Sequence, residues 1–473
     1  MGTINSAFSL ISGALDADQS ALSIVANNVA NANTPGYTTE IPNWQENPPV
    51  SIGSASYGSG VTETGATSLR DRVLEERLDQ QQQLASSSSA RLTALNSVQA
   101  LFVPDSGSTS ATAGDIGSDI TSFFSSFSSL EADPANSSLR EEVLSSATTL
   151  AGDVSNAAAS LNTQQSALDQ EASGVTSQVN ALTGAIAQLN HQIESTTPDG
   201  NAGTLEDQRQ EDLSQLSQLI GINQVQTENN GLSVTTTSGQ LLASNGTSFQ
   251  LTSGTVGGVT NFFVGATNIT TQLASGGGEL GGLLTARDQD IPSAINALNQ
   301  LAYNVSTQVN AQNNAGTDLY GVTGTAANPL NIFSQPTTVA GSAASMSVVM
   351  TDPSQIAAAG AGQGTGDNSN TTAMANLANQ NIVGGQTPTD FFSSFVSTLG
   401  ATVSGVQADN TAQNASVSQL QSQNNALSGV NLNDEAAAMS TLQSSYQAAS
   451  QVFTILNTIM AAALNLGDQT TVA

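Results

Sequence analysis

Residues 4–29 read INSAFSLISGALDADQSALSIVANNV. Ile4, Phe8, Ile11, Leu15, Asp18, Leu22, Val25 and Val29 are spaced alternately four and three apart. They form two interleaved seven-residue series with one charged member, the pattern of a coiled-coil seam. An amphipathic helix covering the chain's own core would show a similar stripe. Asp18 has no cation nearby in the sequence. It is expected to face water or a polar contact in an assembly, because a dry carboxylate is costly.

The pattern ends in ANNVANANTPGYTTE, residues 26–40. Pro35 cannot donate a backbone hydrogen bond and restrains Thr34, while Gly36 permits a sharp turn before Tyr37. Asn27, Asn28, Asn31 and Asn33 supply donors and acceptors, and are expected to bond neighbouring backbones in a crowded ring of copies.

The other end carries a matching pattern. Met439, Tyr446, Phe453 and Met460 form one seven-residue series, and Leu442, Ala449, Leu456 and Ala463 form a second. Val452, Ile459 and Leu466 add a third stripe, so this helix is expected to touch more than one neighbour. Burying the seams alone does not offset the cost of ordering the backbone, so both ends are expected to be loose until other chains surround them.

The whole chain has 473 residues, 38% of them hydrophobic and 4% aromatic, which points to thin cores and extended elements. Thirty-seven acidic residues face seven basic ones, all arginine, for a formal charge of −30. Nucleic acid and anionic membranes repel such a surface and are excluded as partners. Every arginine lies between Arg70 and Arg287, so the two ends cannot form salt bridges with each other. There is no cysteine, hence no disulfide or thiolate metal site. Neither a secretory signal nor a membrane-spanning stretch is seen. Near pH 4 most carboxylates approach neutrality, so an acidic habitat would relieve repulsion between copies.

Between the ends the period is mostly helical. Leu74 to Phe102 fit one helix and Ile116 to Phe127 a short second one. A long third begins near Asp133-Pro134, with a heptad pair running from Leu168 to Ile193, and ends at Thr197-Pro198-Asp199-Gly200. A helix over 205–220 is expected to stop at Gly221 as its cap. From Ile222 to Leu273 the period is two, with Asn230-Gly231 as the turn of the first hairpin. Helical spacing resumes at Ile291 and again at 390–426. The stretch 316–370 between them is mixed and contains the strand-like MSVVM. The expected fold is mainly α with a small β insertion, in nested domains. Segments 1–36 and 434–473 form a coiled-coil layer. Segments 37–221 and 280–433 form a helical domain that includes 316–370, and 222–279 is the β insertion.

No catalytic constellation stands out. His191, the single histidine, lies off the heptad seam with no second ligand or nucleophile to join. Asp288 and Asp290 precede Ile291-Pro292, where negative charge suits a helix start. Gly276, Gly278 and Gly281 have the G-x-G-x-x-G spacing. They lack the βαβ context and the acidic residue that a dinucleotide site needs, so they read as a flexible connector. No catalytic, cofactor-binding or metal residue is assigned.

The stretch ANNVANANTPGYT, 26–38, resembles the N-terminal motif of bacterial flagellar rod, hook and hook-associated proteins. Three more stretches narrow the resemblance: DPANSSLREEVLSSATTLA at 133–151, GELGGLLTARD at 278–288, and SGVNLNDEAAAMSTLQSSYQAASQVFTILNTIMAAALNL at 428–466. In this order they are similar to the FlgK family of hook-associated proteins. The resemblance implies a structural, non-enzymatic protein of the hook–filament junction, needed for filament assembly. It implies secretion to the extracellular flagellum by flagellar type III export, without a cleaved signal. The implied partners are hook protein, a FlgL-like second junction protein, further copies in a ring, and a FlgN-like export chaperone at the apolar residues of 439–466. The alternative is another axial flagellar protein, of hook, rod or FlgL type. The long helical run from Arg70 to Gly221 argues against hook protein.

Overall fold

The computed structural model describes residues 2–52, 55–102, 115–196 and 202–469. The expected stop at Thr197-Pro198-Asp199-Gly200 lies outside them. The fold is mainly α with small antiparallel sheets. Helix α1 (Gly2–Asn31) leads into a ribbon of strands β1 (Glu40–Glu46), β2 (Val50–Ile52), β3 (Ala55–Tyr57) and β4 (Val61–Ser68). Strand β1 pairs with β4, and β2 with β3. Four helices follow: α2 (Arg72–Gln99), α3 (Ile116–Ala132), α4 (Ser137–Thr196) and α5 (Gly203–Leu219). The ribbon is a departure from the sequence reading, which assigned no strand before residue 222.

Helix starts are chemically marked. Asp71 accepts from the N–H groups of Val73 and Leu74 at 3.1 Å each and opens α2. Asn136 accepts from Ser138 at 3.0 Å and opens α4 in the same way. After α5 come two small sheets. The first is a meander of β5 (Ile222–Gln226), β6 (Leu232–Thr236), β7 (Leu241–Ser244) and β8 (Thr247–Ser248). The second holds β9 (Leu251–Val256), β10 (Val259–Val264) and β11 (Thr267–Asn268). The tight turn between β5 and β6 sits one residue earlier than expected, with Asn229 and Asn230 at φ 50° and 56°.

Helices α6 (Thr270–Gly276) and α7 (Gly278–Thr285) lead through a π-helical segment, Ala286–Asp290, into α8 (Ile291–Ala315). The glycines here allow close packing of backbones. A Cβ at Gly282 would meet the carbonyl oxygen of Ser87 on α2, and one at Gly221 would meet that of Gly276. Gly221 has no left-handed backbone, so it is a contact position instead of the expected helix cap. Asp288 and Asp290 do not start a helix, because α7 to α8 is continuous through the π segment. Their partners are Arg287 and Arg91, at 2.7 and 2.8 Å.

The stretch 316–370 has little regular pairing. MSVVM contributes only an isolated bridge, Val348 with Phe333, instead of a strand. Side-chain amides do the work of a ladder. Buried Asn310 accepts from the N–H groups of Ile332 and Phe333 at 3.0 Å each and donates to the Phe333 carbonyl at 2.9 Å. Asn313 accepts from Ala357 and donates to the Leu330 carbonyl. Fully buried Arg140 donates to the carbonyls of Pro134 and Ile356 at 2.7 and 2.6 Å. These bonds satisfy backbone groups that would otherwise be buried unpaired.

Helix α9 (Ser369–Asn376) closes this region, followed by α10 (Pro388–Ser428) and α11 (Leu432–Gln469). Thr387 caps α10: its hydroxyl accepts from Asp390 N–H and donates to the Asp390 carboxylate, with Pro388 in the first turn. Helix α10 runs antiparallel to α2. Phe102 stacks edge-on to Phe395 at 4.9 Å at one end, and Gln81 bonds Gln413 further along. Among the described residues, the main core is continuous from Leu92 to Val406 and contains no residue of α1 or α11. The terminal helices therefore form a layer of their own.

Candidate assembly interface

Helices α1 and α11 pack on one another, and Phe8 meets Phe453 edge to face with centroids 5.2 Å apart. The ribbon lies on a second side of α1, where Ser20 Oγ donates to Glu63 on β4 at 3.1 Å. Ala17, Asp18, Ala21, Val25 and Asn28 are buried, a stripe at helical spacing. Asp18 is thus covered within the single chain, at 7% exposure, and does not face water as expected.

Of the expected packing positions, Ile4, Phe8, Ile11, Leu15 and Leu22 are half-buried, Val25 is buried and Val29 is exposed. On α11, Met439, Leu442, Phe453, Leu456 and Met460 are half-buried. Tyr446, Val452 and Ile459 are exposed, at 38, 41 and 49%. Ile455, which the heptad reading passed over, is the most exposed of this stripe at 58%. The side chain of Leu466 lies outside the described ones. One set of positions on α11 is thus partly covered inside the chain, and another is left bare.

The asparagine-rich turn is built from within. Thr34 to Tyr37 is a type II turn: Tyr37 N–H reaches the Thr34 carbonyl at 3.2 Å, Pro35 takes the second position and Gly36 the third at φ 76°. Asn28 is 1% exposed and uses its full hydrogen-bonding capacity. Its amide donates to the Glu40 carbonyl at 2.8 Å and to Glu435 Oε1 on α11 at 3.0 Å. Its oxygen accepts from Tyr37 Oη at 2.7 Å and Glu40 N–H at 3.0 Å. Asn31 donates to Asn27, and Thr34 donates to Asn31. Asn33 is exposed. Asn28 has no capacity left for a neighbouring copy, so the expectation that these amides bond other copies is corrected there; Asn27 and Asn31 also bond within the chain. Burial, and after it the carboxylates of Glu40, Asp207 and Glu435, push the Tyr37 hydroxyl up to about 12, so it stays a donor.

Just beyond the turn the terminal layer meets the helical region. Thr39 N–H donates to the Ser428 carbonyl at 2.9 Å, and Ser428 Oγ donates to the Leu69 carbonyl at 3.0 Å. Thr38 Oγ1 and Arg70 both donate to Asp207, and Arg70 reaches the Glu206 carbonyl at 2.9 Å. Four distant segments are pinned at one point, where α1 and α11 leave the bundle. A cleft of about 600 Å³ lies beside it, walled by the turn, α2, α5 and the end of α10.

Asn28→Asp is expected to destabilise the terminal layer more than Asn28→Ala, because it replaces two donors by a charge facing Glu435. Each buried group left unpaired costs about 1–3 kcal/mol. Faster proteolysis within α1, in the order wild type, Ala, Asp, checks this; equal rates in all three contradict it.

His191 is exposed. Among the described residues, no three His, Asp or Glu side chains converge as a metal site, and no helix is long and apolar enough to cross a membrane.

Residues 106–327 match the family described as the flagellar hook-associated protein FlgK helical domain, and residues 11–38 match the flagella basal body rod protein family. The chain is 26% identical to flagellar hook-associated protein 1 of Salmonella typhimurium, over 96% of this chain and 98% of that one. It is 25% identical to the Escherichia coli protein of the same name, with the same coverage. The flagellar hook junction protein FlgK of Burkholderia pseudomallei has a similar fold. Its TM-score is 0.64 at 20% identity, covering 74% of this chain and 99% of that structure.

Proposed function

We propose that this chain, which belongs to the FlgK family of flagellar hook-associated proteins, joins the hook to the filament and is needed for filament assembly. It is a structural component of the bacterial flagellum. The observation that carries the reading is the paired terminal layer with its bare outer stripe, on a chain aligned with hook-associated protein 1 over nearly its full length. The match at 106–327 favours a junction protein over a rod protein, since the motif at 11–38 is common to both.

In this reading residues 1–36 and 434–473 form the inner layer, and 37–221 with 280–433 form the helical domain, including the mixed segment 316–370. Residues 222–279 form the β insertion. Copies associate in a ring through the seam positions above, chiefly the bare Tyr446, Val452 and Ile459. Hook protein lies on one side and a FlgL-like protein on the other. A FlgN-like chaperone covers the apolar face of 439–466 before export, and the protein then resides outside the cell. Its role is packing, without a catalysed reaction. The formal charge of −30 disfavours nucleic acid and membrane surfaces.

Deleting the gene tests this. Cells are expected to carry hooks without filaments and to shed filament protein into the medium. Filaments attached normally to the hooks would overturn the reading.

A further inference from the structure

Two bare surfaces on this chain are complementary in a way that a ring requires. The first is the part of the ribbon around Trp44. Trp44 on β1 stands opposite Glu63, which meets Ser20 of α1, so it flanks α1 and is still 47% exposed; Ile41, on the other side of the strand, is 43% exposed, and Val50 and Tyr57 in the second hairpin are 45 and 55% exposed. Trp44 is the single tryptophan. Glu46, two residues along the same strand, shares its face and is exposed. Residues 1–69 contain no base, so no cation of α1 or of the ribbon itself can neutralise it.

The second surface is on α2. Val73, Arg77, Gln80 and Leu84 fall at helical spacing on the side away from buried Leu74, Leu78 and Ala85, and all four are exposed. Val73 is 67% exposed and Leu84 50%. The other six arginines are engaged: Arg70, Arg72, Arg91 and Arg287 with carboxylates, Arg140 and Arg209 with carbonyls. Arg77 is the one arginine with neither, among the described residues.

We infer that the ribbon of one copy docks on the α2 stripe of the next, with Trp44 over Val73 and Glu46 paired to Arg77, a spacing of two strand residues against one helical turn. A ring needs a heterologous interface, two different patches repeated around the circle. Within one chain the two patches stay uncovered, so each is open to a second copy. In a chain with so large an excess of acid, an unpaired cation beside exposed apolar residues selects an acidic, aromatic partner surface. The inference rests on the ring reading above.

The test exploits the absence of cysteine. Chains carrying Trp44→Cys alone and Val73→Cys alone are co-expressed in flagellated cells, and isolated hook–junction particles are treated with a short bis-maleimide. A covalent dimer containing one chain of each kind is the expected result. In parallel, Arg77→Glu is expected to lower the fraction of filamented cells about tenfold or more, and Glu46→Arg in the same chain to restore it. Unchanged helicity of each purified variant separates docking from folding. Particles that contain both chains without a mixed dimer, with Arg77→Glu neutral, overturn this interface and leave the junction reading standing. Particles from which the chain is missing overturn the junction reading and this inference with it.

Discussion

Lowering the pH from 8 to 5 should stabilise the free chain, the reverse of ordinary acid denaturation. Burial pushes Asp79 up to about 7, even though the amides of Gln210 and Gln224 donate to it at 2.9 and 2.8 Å. Burial also pushes Glu75 up to about 7, against the pull of Arg70 at 3.7 Å. Asp119 rises to about 7 through burial and its neighbour Asp153. For a carboxyl whose folded value lies above its unfolded one, the charge penalises the folded state at high pH. The folded chain takes up the proton as pH falls through 7, while the unfolded chain waits until about 4, so stability rises across that window. For Asp79 and Glu75 the gain is roughly 2–4 kcal/mol each. Below about 4 the trend reverses, because Asp352 and Asp367 are held below the usual range by the N–H groups of Ser354 and Gly360 and must then be protonated. Asp79→Asn should therefore raise stability at pH 8 by about 2–3 kcal/mol, change little at pH 5 and flatten the profile. A lower denaturation midpoint for this variant at pH 8 would contradict the assignment.

Arg287→Met should cost the fold about 2–4 kcal/mol, because it removes three charge-assisted hydrogen bonds made by a buried guanidinium, while the carboxylates left behind are partly solvated. Arg287 is 1% exposed at the π segment. It donates to Asp288 at 2.7 and 2.9 Å and to Asp169 on α4 at 2.6 Å, and its guanidinium lies 6.0 Å from the Phe262 ring centre. Gln165 on α4 donates to its carbonyl at 2.9 Å. One side chain thus ties α4, the π segment and β10 together. Methionine fills similar space but leaves both carboxylates without this cation. Asp169→Asn should cost much less, because Asp169 is partly exposed and the pair with Asp288 remains. Chemical denaturation of both variants checks the difference, and equal losses would contradict it.

The long helices were legible because their apolar residues recur at three and four. The helices α1 and α11 were legible as helices but their contacts only in part: the buried stripe of α1 runs through Ala17, Asp18, Ala21, Val25 and Asn28, of which only Val25 was an expected packing position, and Ile455 on α11 was passed over. The ribbon was missed because Pro42, Pro48 and Pro49 interrupt its first half, and a bulge at Thr64 and Gly65, opposite Asn43, interrupts its second. A signal was present in VTETGATS, 61–68, where four of eight residues, Val61, Thr62, Thr64 and Thr67, are β-branched. MSVVM looked like a strand because local composition suits one, but Asn310 and Asn313 on α8 hold its region by side-chain amides. The asparagines of the turn announced hydrogen bonding and not its direction. Asn28 finds Glu435 a distance of 407 residues along the chain, a pairing that no local pattern encodes. The Arg70–Asp207–Thr38 junction was hidden for the same reason.

The central claim is that the bare stripe of α11 is covered by other subunits once the protein stands between hook and filament. Ile455→Cys places one thiol on that stripe in a chain that has none. Rapid maleimide labelling of the purified chain and strong protection of the same thiol in intact flagella are expected. Equally rapid labelling in both would contradict the claim.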